Sequence, residues 1–310
     1  MKLKLIEHKK IYLLIPTVCV ILALAAVFFK GLNYGIDFSG GNLFQVTYEK
    51  PVTLAAVNES LDKLGDKIPQ MSSNSRKTQI SEDRIIILRS QEISEDEKET
   101  VLENLKSQGN YSIDKIEKVG ASIGEELKYA ALISLAVGSV LIVLYITFRF
   151  EFIFSIGSIV ALLHDVILAL GLVSILGYEV NTPFIAAILT IVGYSINDTI
   201  VIFDRIRENL ASRRRSRLTI EQIIENSVDQ CLRRSINTSL TTLFAVVALL
   251  IFGGDSLRTF IVALLVGVTC GAYSSIFVAP LIVYLLGRRK NSLEKFDEKE
   301  KDEAEEKILV

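Results

Sequence analysis

Ile11 to Phe29 runs for 19 residues without a charged side chain, Tyr129 to Phe148 for 20, and Thr259 to Gly287 for 29. A helix rises about 1.5 Å per residue and the hydrocarbon core of a bilayer is about 30 Å thick, so about 20 such residues cross it. Three further runs come close to that pattern. Phe152 to Tyr178 is interrupted only by His164 and Asp165, Val180 to Phe203 carries the single acid Asp198, and Ile236 to Phe252 is uncharged over 17 residues. Charges inside spans are tolerated where they face other helices or water. Soluble helices seldom run this long uncharged, so the expected class is an α-helical polytopic membrane protein with six transmembrane helices.

The first run follows a short basic stretch, as a secretory signal would. Its length exceeds a usual signal core, and Phe28-Phe29-Lys30 offers no small-residue cleavage site, so it reads as a retained anchor. The charges outside the spans set the orientation. Lys2, Lys4, Lys9 and Lys10 precede the first span, eight arginines against five acids lie between Asp204 and Ser235, and Arg288, Arg289 and Lys290 follow the last. The long segment 30–128 carries 13 basic and 17 acidic residues, but a segment of that length translocates largely regardless of charge. Both termini are therefore expected in the cytoplasm. The expected order is a cytoplasmic N-terminus (1–10), a first span (11–29) and an extracytoplasmic domain (30–128). A five-helix membrane region (129–287) with a cytoplasmic loop (204–235) and a charged cytoplasmic tail (288–310) complete it.

Segment 30–128 reads as a small α+β domain. Asn42 to Glu49 alternates as a strand does, Thr53 to Leu64 has helical spacing, and strands follow around Lys77 to Ile80 and Arg84 to Ser90. Ser94 with Glu97 three residues later forms a capping box for a second helix, and Tyr111 to Lys118 alternates again. The order β-α-β-β-α-β is ferredoxin-like, an arrangement shared by many unrelated functions. Cys19 and Cys270 lie in spans and Cys231 in a basic stretch, which leaves no disulfide framework and no metal-ligand spacing. No nucleophile–base pair or phosphate loop is present, so a non-enzyme without cofactor or metal is expected.

Four motifs stand in order along the chain. Gly35-Ile36-Asp37-Phe38-Ser39-Gly40-Gly41 follows the first span, and Leu163-His164-Asp165-Val166 lies in the third. Gly193-Tyr194-Ser195-Ile196-Asn197-Asp198 runs into Phe203-Asp204-Arg205 in the fourth, and Arg233-Arg234-Ser235-Ile236-Asn237-Thr238 opens the fifth. Together with Phe252-Gly253-Gly254 these resemble the SecF subunit family of the bacterial SecD–SecF complex, from about Leu13 to Leu286. Ser39 and Ser235 stand where that family more often has Thr. The resemblance implies an inner-membrane accessory subunit of Sec preprotein export, of the resistance-nodulation-division superfamily. It further implies that such a subunit acts with SecD, after SecA, on the proton motive force. The implied partners are SecD, the SecYEG channel with SecA-driven preproteins, YajC, YidC and membrane lipids, with no nucleic acid.

The residues also carry their own physics. Asp198 lies about 22 Å along its helix from Pro183, toward the cytoplasmic end. An ionised carboxylate there is disfavoured unless paired, hydrated or protonated, so it is either a proton carrier or a structural acid bonded to neighbouring helices. Arg234 is its natural partner, although an Arg at that position also serves as a positive-inside anchor, and spacing alone does not separate it from Arg233. Asp165 and His164 read either as further members of a relay or as polar contacts between spans. Asn197, Asn237 and Thr238, with Thr241, can order water between the charges or bond across helices. Gly267, Gly271 and Ser275, at four-residue intervals with Ala263, read as helix packing. Gly35, Asp37, Gly40 and Gly41 read as a tight turn coupling the first span to the domain, or as a plain turn capped by Asp37. The run Arg213 to Arg217 reads as topology, with contact to anionic lipid as the alternative. A half-transporter for a small molecule or lipid, and a non-transporting scaffold, are the competing functional readings.

Overall fold

The structure, a computed structural model, describes residues 4–212, 218–254 and 257–290. It divides into two compact units, Tyr34–Ile133 and the remaining described residues. The expected domain, 30–128, is therefore shifted by a few residues at each end. Helix α5 (Ala121–Arg149) crosses the boundary between the units.

The smaller unit opens with a single helical turn, α2 (Ile36–Ser39), followed by β1 (Gly41–Tyr48), α3 (Leu54–Gly65), β2 (Arg76–Ser81), β3 (Ile85–Ser90), α4 (Glu95–Lys106) and β4 (Tyr111–Val119). The sheet order is β2-β3-β1-β4, antiparallel throughout, which is the ferredoxin-like order. Alternate β1 residues Phe44, Val46 and Tyr48 point to one core with Ile86 and Leu88 of β3, Val57 and Leu61 of α3, and Val101 and Leu105 of α4. Glu82 and Asp83, both at positive φ, turn the β2–β3 hairpin, a mirror-type turn whose twist matches that of the strands. The Ser94–Glu97 capping box is formed in both directions. A bulge opposite Gln45/Val46, with Asp114 as the extra residue of β4, lets β4 bend against β1.

The glycine-rich motif is a built turn. Phe38 and Ser39 amides bond to the Gly35 carbonyl, and Gly40 and Gly41 take φ of 67° and 115°. A Cβ on Gly41 would strike the Ser90 carbonyl, and one on Gly40 would lie 3.0 Å from Ala121 Cα at the start of α5. A Cβ on Gly124 would in turn meet the Gly40 amide at 3.0 Å. Glycine is thus required by conformation and by close backbone approach at once. The motif, expected as a turn, contains one helical turn, α2, whose four residues are too short to leave a periodic pattern.

In the larger unit, α1 (Lys9–Lys30), the later part of α5, α6 (Phe152–Leu176), α7 (Thr182–Ala211), α8 (Ile220–Phe252) and α9 (Arg258–Tyr273) lie before a π-turn (Ser274–Val278) and α10 (Ala279–Lys290). Among the described residues six helices are long and apolar enough to cross a membrane, the last running from Arg258 to Gly287. Pro280 explains the π-turn: without an N–H it cannot close the α-helical bond to the carbonyl four residues earlier, and the helix widens there.

The loop expected over 204–235 is mostly helix. Charges mask an apolar stripe at helical spacing, with Phe203, Ile206 and Leu210 of α7 buried against Ile223, Ile224 and Val228 of α8. Leu5 and Ile6 join the same core, and the Ile6 amide donates to Glu225 Oε1 at 2.9 Å. Arg149 pairs with Asp204 at 2.9 Å nearby. The run Arg213 to Arg217 and the tail beyond Lys290 lie outside the described residues.

Tyr48 gives the domain a pH signature. Its hydroxyl donates to the Leu105 carbonyl at 2.8 Å, and burial pushes the phenol from its usual value of 10.0 up to about 12. The folded chain therefore keeps this proton to higher pH than the unfolded chain does. The corresponding stability is complete below pH 10 and declines as pH rises toward 12. Alkaline absorbance titration is expected to show a late-ionising tyrosine component, about pH 12, that is reduced by one tyrosine in Tyr48→Phe. The same variant, measured by hydrogen exchange at neutral pH, should lose about 1 kcal/mol from β1 and α4 by losing the hydroxyl's bond to the Leu105 carbonyl, which the Gln108 amide still serves.

Candidate functional site: an intramembrane carboxyl pair

Three helices converge around two carboxyl groups. Asp165, on α6, has no exposed surface. His164 Nδ1 lies 2.8 Å from its Oδ1, while Ser195 Oγ of α7 and Ser274 Oγ of the π-turn donate to its Oδ2 at 2.6 and 2.8 Å. Adjacent residues diverge by about 100° on a helix. Here the ring nitrogen nonetheless folds back onto the next residue's carboxylate, so the two polar groups satisfy each other. Thr199 and Ser275 hydroxyls bond at 2.8 Å, and Ser275 Oγ donates to the Ser195 carbonyl at 3.1 Å. One face of α7 is thereby fastened to α6 and to the π-turn.

The approach of these helices depends on the small residues. A Cβ on Gly267 would run into the Ile191 side chain, and one on Gly271 would lie 3.2 Å from Ser195 Cβ. Ser275 differs from the expectation of packing by size alone. It acts through its hydroxyl, because the π-turn swings it toward Thr199.

Asp198 is built differently. It is buried, 4% exposed, yet no hydrogen bond or ion pair to its carboxylate is formed among the described residues. Arg234 of α8 is the charged group whose field reaches it; Arg234 and its neighbour Arg233 are both exposed. Asn197 and Asn237 are exposed, and neither is brought to Asp198. Thr238 bonds back to the Arg234 carbonyl at 2.9 Å along its own helix. Sequence reading missed Ser195, Ser274 and Thr199. The hydroxyls were visible inside apolar runs, but nothing local identifies which distant carboxylate they serve.

The SecD/SecF C-terminal family model, for protein export membrane proteins, matches residues 97–289, and the SecD/SecF GG motif matches residues 25–52. The chain belongs to the SecF family. Protein translocase subunit SecF of Sebaldella termitidis is 48% identical over 311 aligned residues, covering all of both chains. Among solved structures, SecDF of Thermus thermophilus, a translocon-associated membrane protein, superposes with a TM-score of 0.81 at 36% identity. The match covers 91% of this chain and 38% of that one. SecDF in its super-membrane-facing form gives 0.68 at 34% identity, covering 95% of this chain and 40% of that one. The chain is thus a multi-pass inner-membrane accessory subunit of the Sec translocase, with SecD as its partner. The GG motif match falls on the built turn at Gly40 and Gly41.

The two carboxyl groups predict different consequences of removal. Asp165→Ala removes the buried partner of His164, Ser195 and Ser274 and should destabilise the solubilised chain by about 3 kcal/mol, whereas Asp198→Ala, which breaks no hydrogen bond, should cost less than about 1 kcal/mol. Thermal unfolding in detergent of both variants checks this ordering.

Proposed function

We propose that the chain, acting with SecD, uses the proton motive force to complete preprotein export, with Asp198 as the group that loads and releases the proton and Arg234 as its counter-charge. The observation carrying this is the contrast between the two acids: Asp165 is saturated with hydrogen bonds, while Asp198 is buried beside a guanidinium with none. A carboxylate without fixed donors changes protonation at little structural cost; one holding three helices together does not. His164 and Asp165 then support α7 rather than carry the proton. Arg233 and Asn237 are exposed on α8, where lipid would leave them unsatisfied, which supports a SecD surface covering them; Thr241, also exposed there, donates to the Thr238 carbonyl at 2.8 Å.

In this reading both termini are cytoplasmic and the α+β domain lies outside, as the distribution of lysine and arginine favours. The turn at Gly35, Asp37, Gly40 and Gly41 links proton movement to domain movement, because it packs on the first turn of α5. The SecYEG channel, SecA-driven preproteins, YajC and YidC are the wider partners in this scheme. The chain itself performs no covalent chemistry.

In vesicles holding the SecD complex, Asp198→Asn and Arg234→Ala are each expected to lower gradient-driven preprotein release by at least about tenfold, about 1.4 kcal/mol of driving effect. SecD should co-purify in full with both. Wild-type release from either variant would refute the assignment.

A further inference from the structure

Helices α7 and α8 run antiparallel and are joined by side-chain bonds at nearly every turn. Toward one end the Tyr194 hydroxyl is hydrogen-bonded to Thr242 Oγ1 and points to the Thr238 carbonyl at 3.5 Å. Toward the other, Cys231 Sγ faces the Val201 carbonyl at 3.8 Å, and Ser227 Oγ faces that of Arg205 at 3.5 Å. Beyond these, Asn209 Nδ2 donates to Ser227 Oγ at 2.8 Å and Gln230 Oε1 at 3.1 Å. Among the described residues, the level without a direct bond is that of Asp198 and Arg234, although a carboxyl and a guanidinium are complementary partners. A guanidinium on a flexible stem closes readily onto a carboxylate unless its helix is held off or turned away. Tyr194 stands four residues, one helical turn, from Asp198, and Thr238 stands one turn from Arg234.

We infer that Tyr194 is a positioning residue: through Thr242 it fixes the spacing and rotation of α7 against α8, so that Asp198 and Arg234 face each other without closing into a bonded pair. The inference rests on the proposed role of Asp198 and adds to it the device that keeps the pair responsive. Opposite charges brought into contact hold a carboxylate ionised. A closed pair at this site would therefore stop exchanging its proton. Tyr194 is suited to the task because its ring is rigid, with only two torsions, and its hydroxyl reaches across the helix gap. Ser195, its neighbour, faces about 100° away around the helix and fastens α7 to Asp165. The two residues together set the rotation of α7 from both sides, and Asp198 lies between their directions.

The test uses the chain with SecD in sealed vesicles, comparing preprotein release with and without an imposed proton gradient, alongside SecD co-purification and thermal unfolding of every variant. Tyr194→Phe and Thr242→Val are each expected to reduce the gradient-dependent part of release about threefold to tenfold, with the gradient-independent part unchanged. Because both remove one bond, Tyr194→Phe/Thr242→Val should be no worse than either alone. Thr242→Ser, which keeps the hydroxyl, should restore at least half of the lost rate. Additive losses, or equal losses with and without the gradient, would overturn the inference. So would wild-type release in Tyr194→Phe where Asp198→Asn has lost the gradient response. If Asp198→Asn itself responds normally, the underlying proposed function has failed instead.

Discussion

A carboxylate with no exposed surface has to find its donors inside the protein, and Asp165 finds them on two other elements. Ser195 and Ser274 reach it from α7 and the π-turn, and His164 covers its second oxygen. An unpaired charge in such a place is expensive, so the three groups cannot drift apart independently. The surrounding geometry follows from that constraint. Gly267 and Gly271 let α9 come close enough for Ser274 to bond, Pro280 forces the π-turn that aims Ser274 and Ser275 inward, and α7 is held at one rotation.

That rotation decides what Asp198 can do. With Ser195 and Thr199 fastened on one side and Tyr194 on the other, the carboxyl lies between two held faces, near Arg234 but unbonded. In the proposed function the two acids, of the same type, divide labour through environment alone: one is structural because its donors are fixed, the other responsive because it has none. The α1–α6 seam adds a second rigid element. Ala23 and Gly171 meet at backbone distance, Ser174 Oγ lies 2.7 Å from the Gly31 carbonyl, and Lys30 Nζ donates to the Ile175 carbonyl at 2.6 Å. The helix that carries His164 and Asp165 is thus bonded to the one that leads into the Gly35–Gly41 turn.

Much of this was legible from residues alone, and unevenly so. Uncharged length marks a span whatever packs around it, which is why α1, α5 and α9 were readable. The alternation in Asn42 to Glu49 and the Ser94–Glu97 box are local signals, and they located the sheet and α4. Asp165, Asp198 and Arg234 stood out because charge at lipid depth is rare. What was hidden depended on distance along the chain. Ser195 and Ser274 lie 30 and 109 residues from Asp165, and common hydroxyls carry no address. The segment 204–235 misled because Asp204, Arg205, Arg207, Glu208 and Asp229 lie off the buried apolar stripe of α7 and α8. The left-handed conformations of Gly40 and Gly41 were suggested by composition, but the reason for both, contact with Ser90 and Ala121, is long-range.

The central claim is that Asp198 changes protonation while Asp165 does not. Isotope-edited infrared difference spectroscopy on the reconstituted SecD complex tests it most directly, with carboxyl bands assigned by Asp198→Asn and Asp165→Asn. On reversing the proton gradient, the account predicts a protonated-carboxyl band that appears and disappears and is missing only in Asp198→Asn. A band that vanishes with Asp165→Asn instead, or a position 198 that holds one protonation state under both gradients, would contradict it.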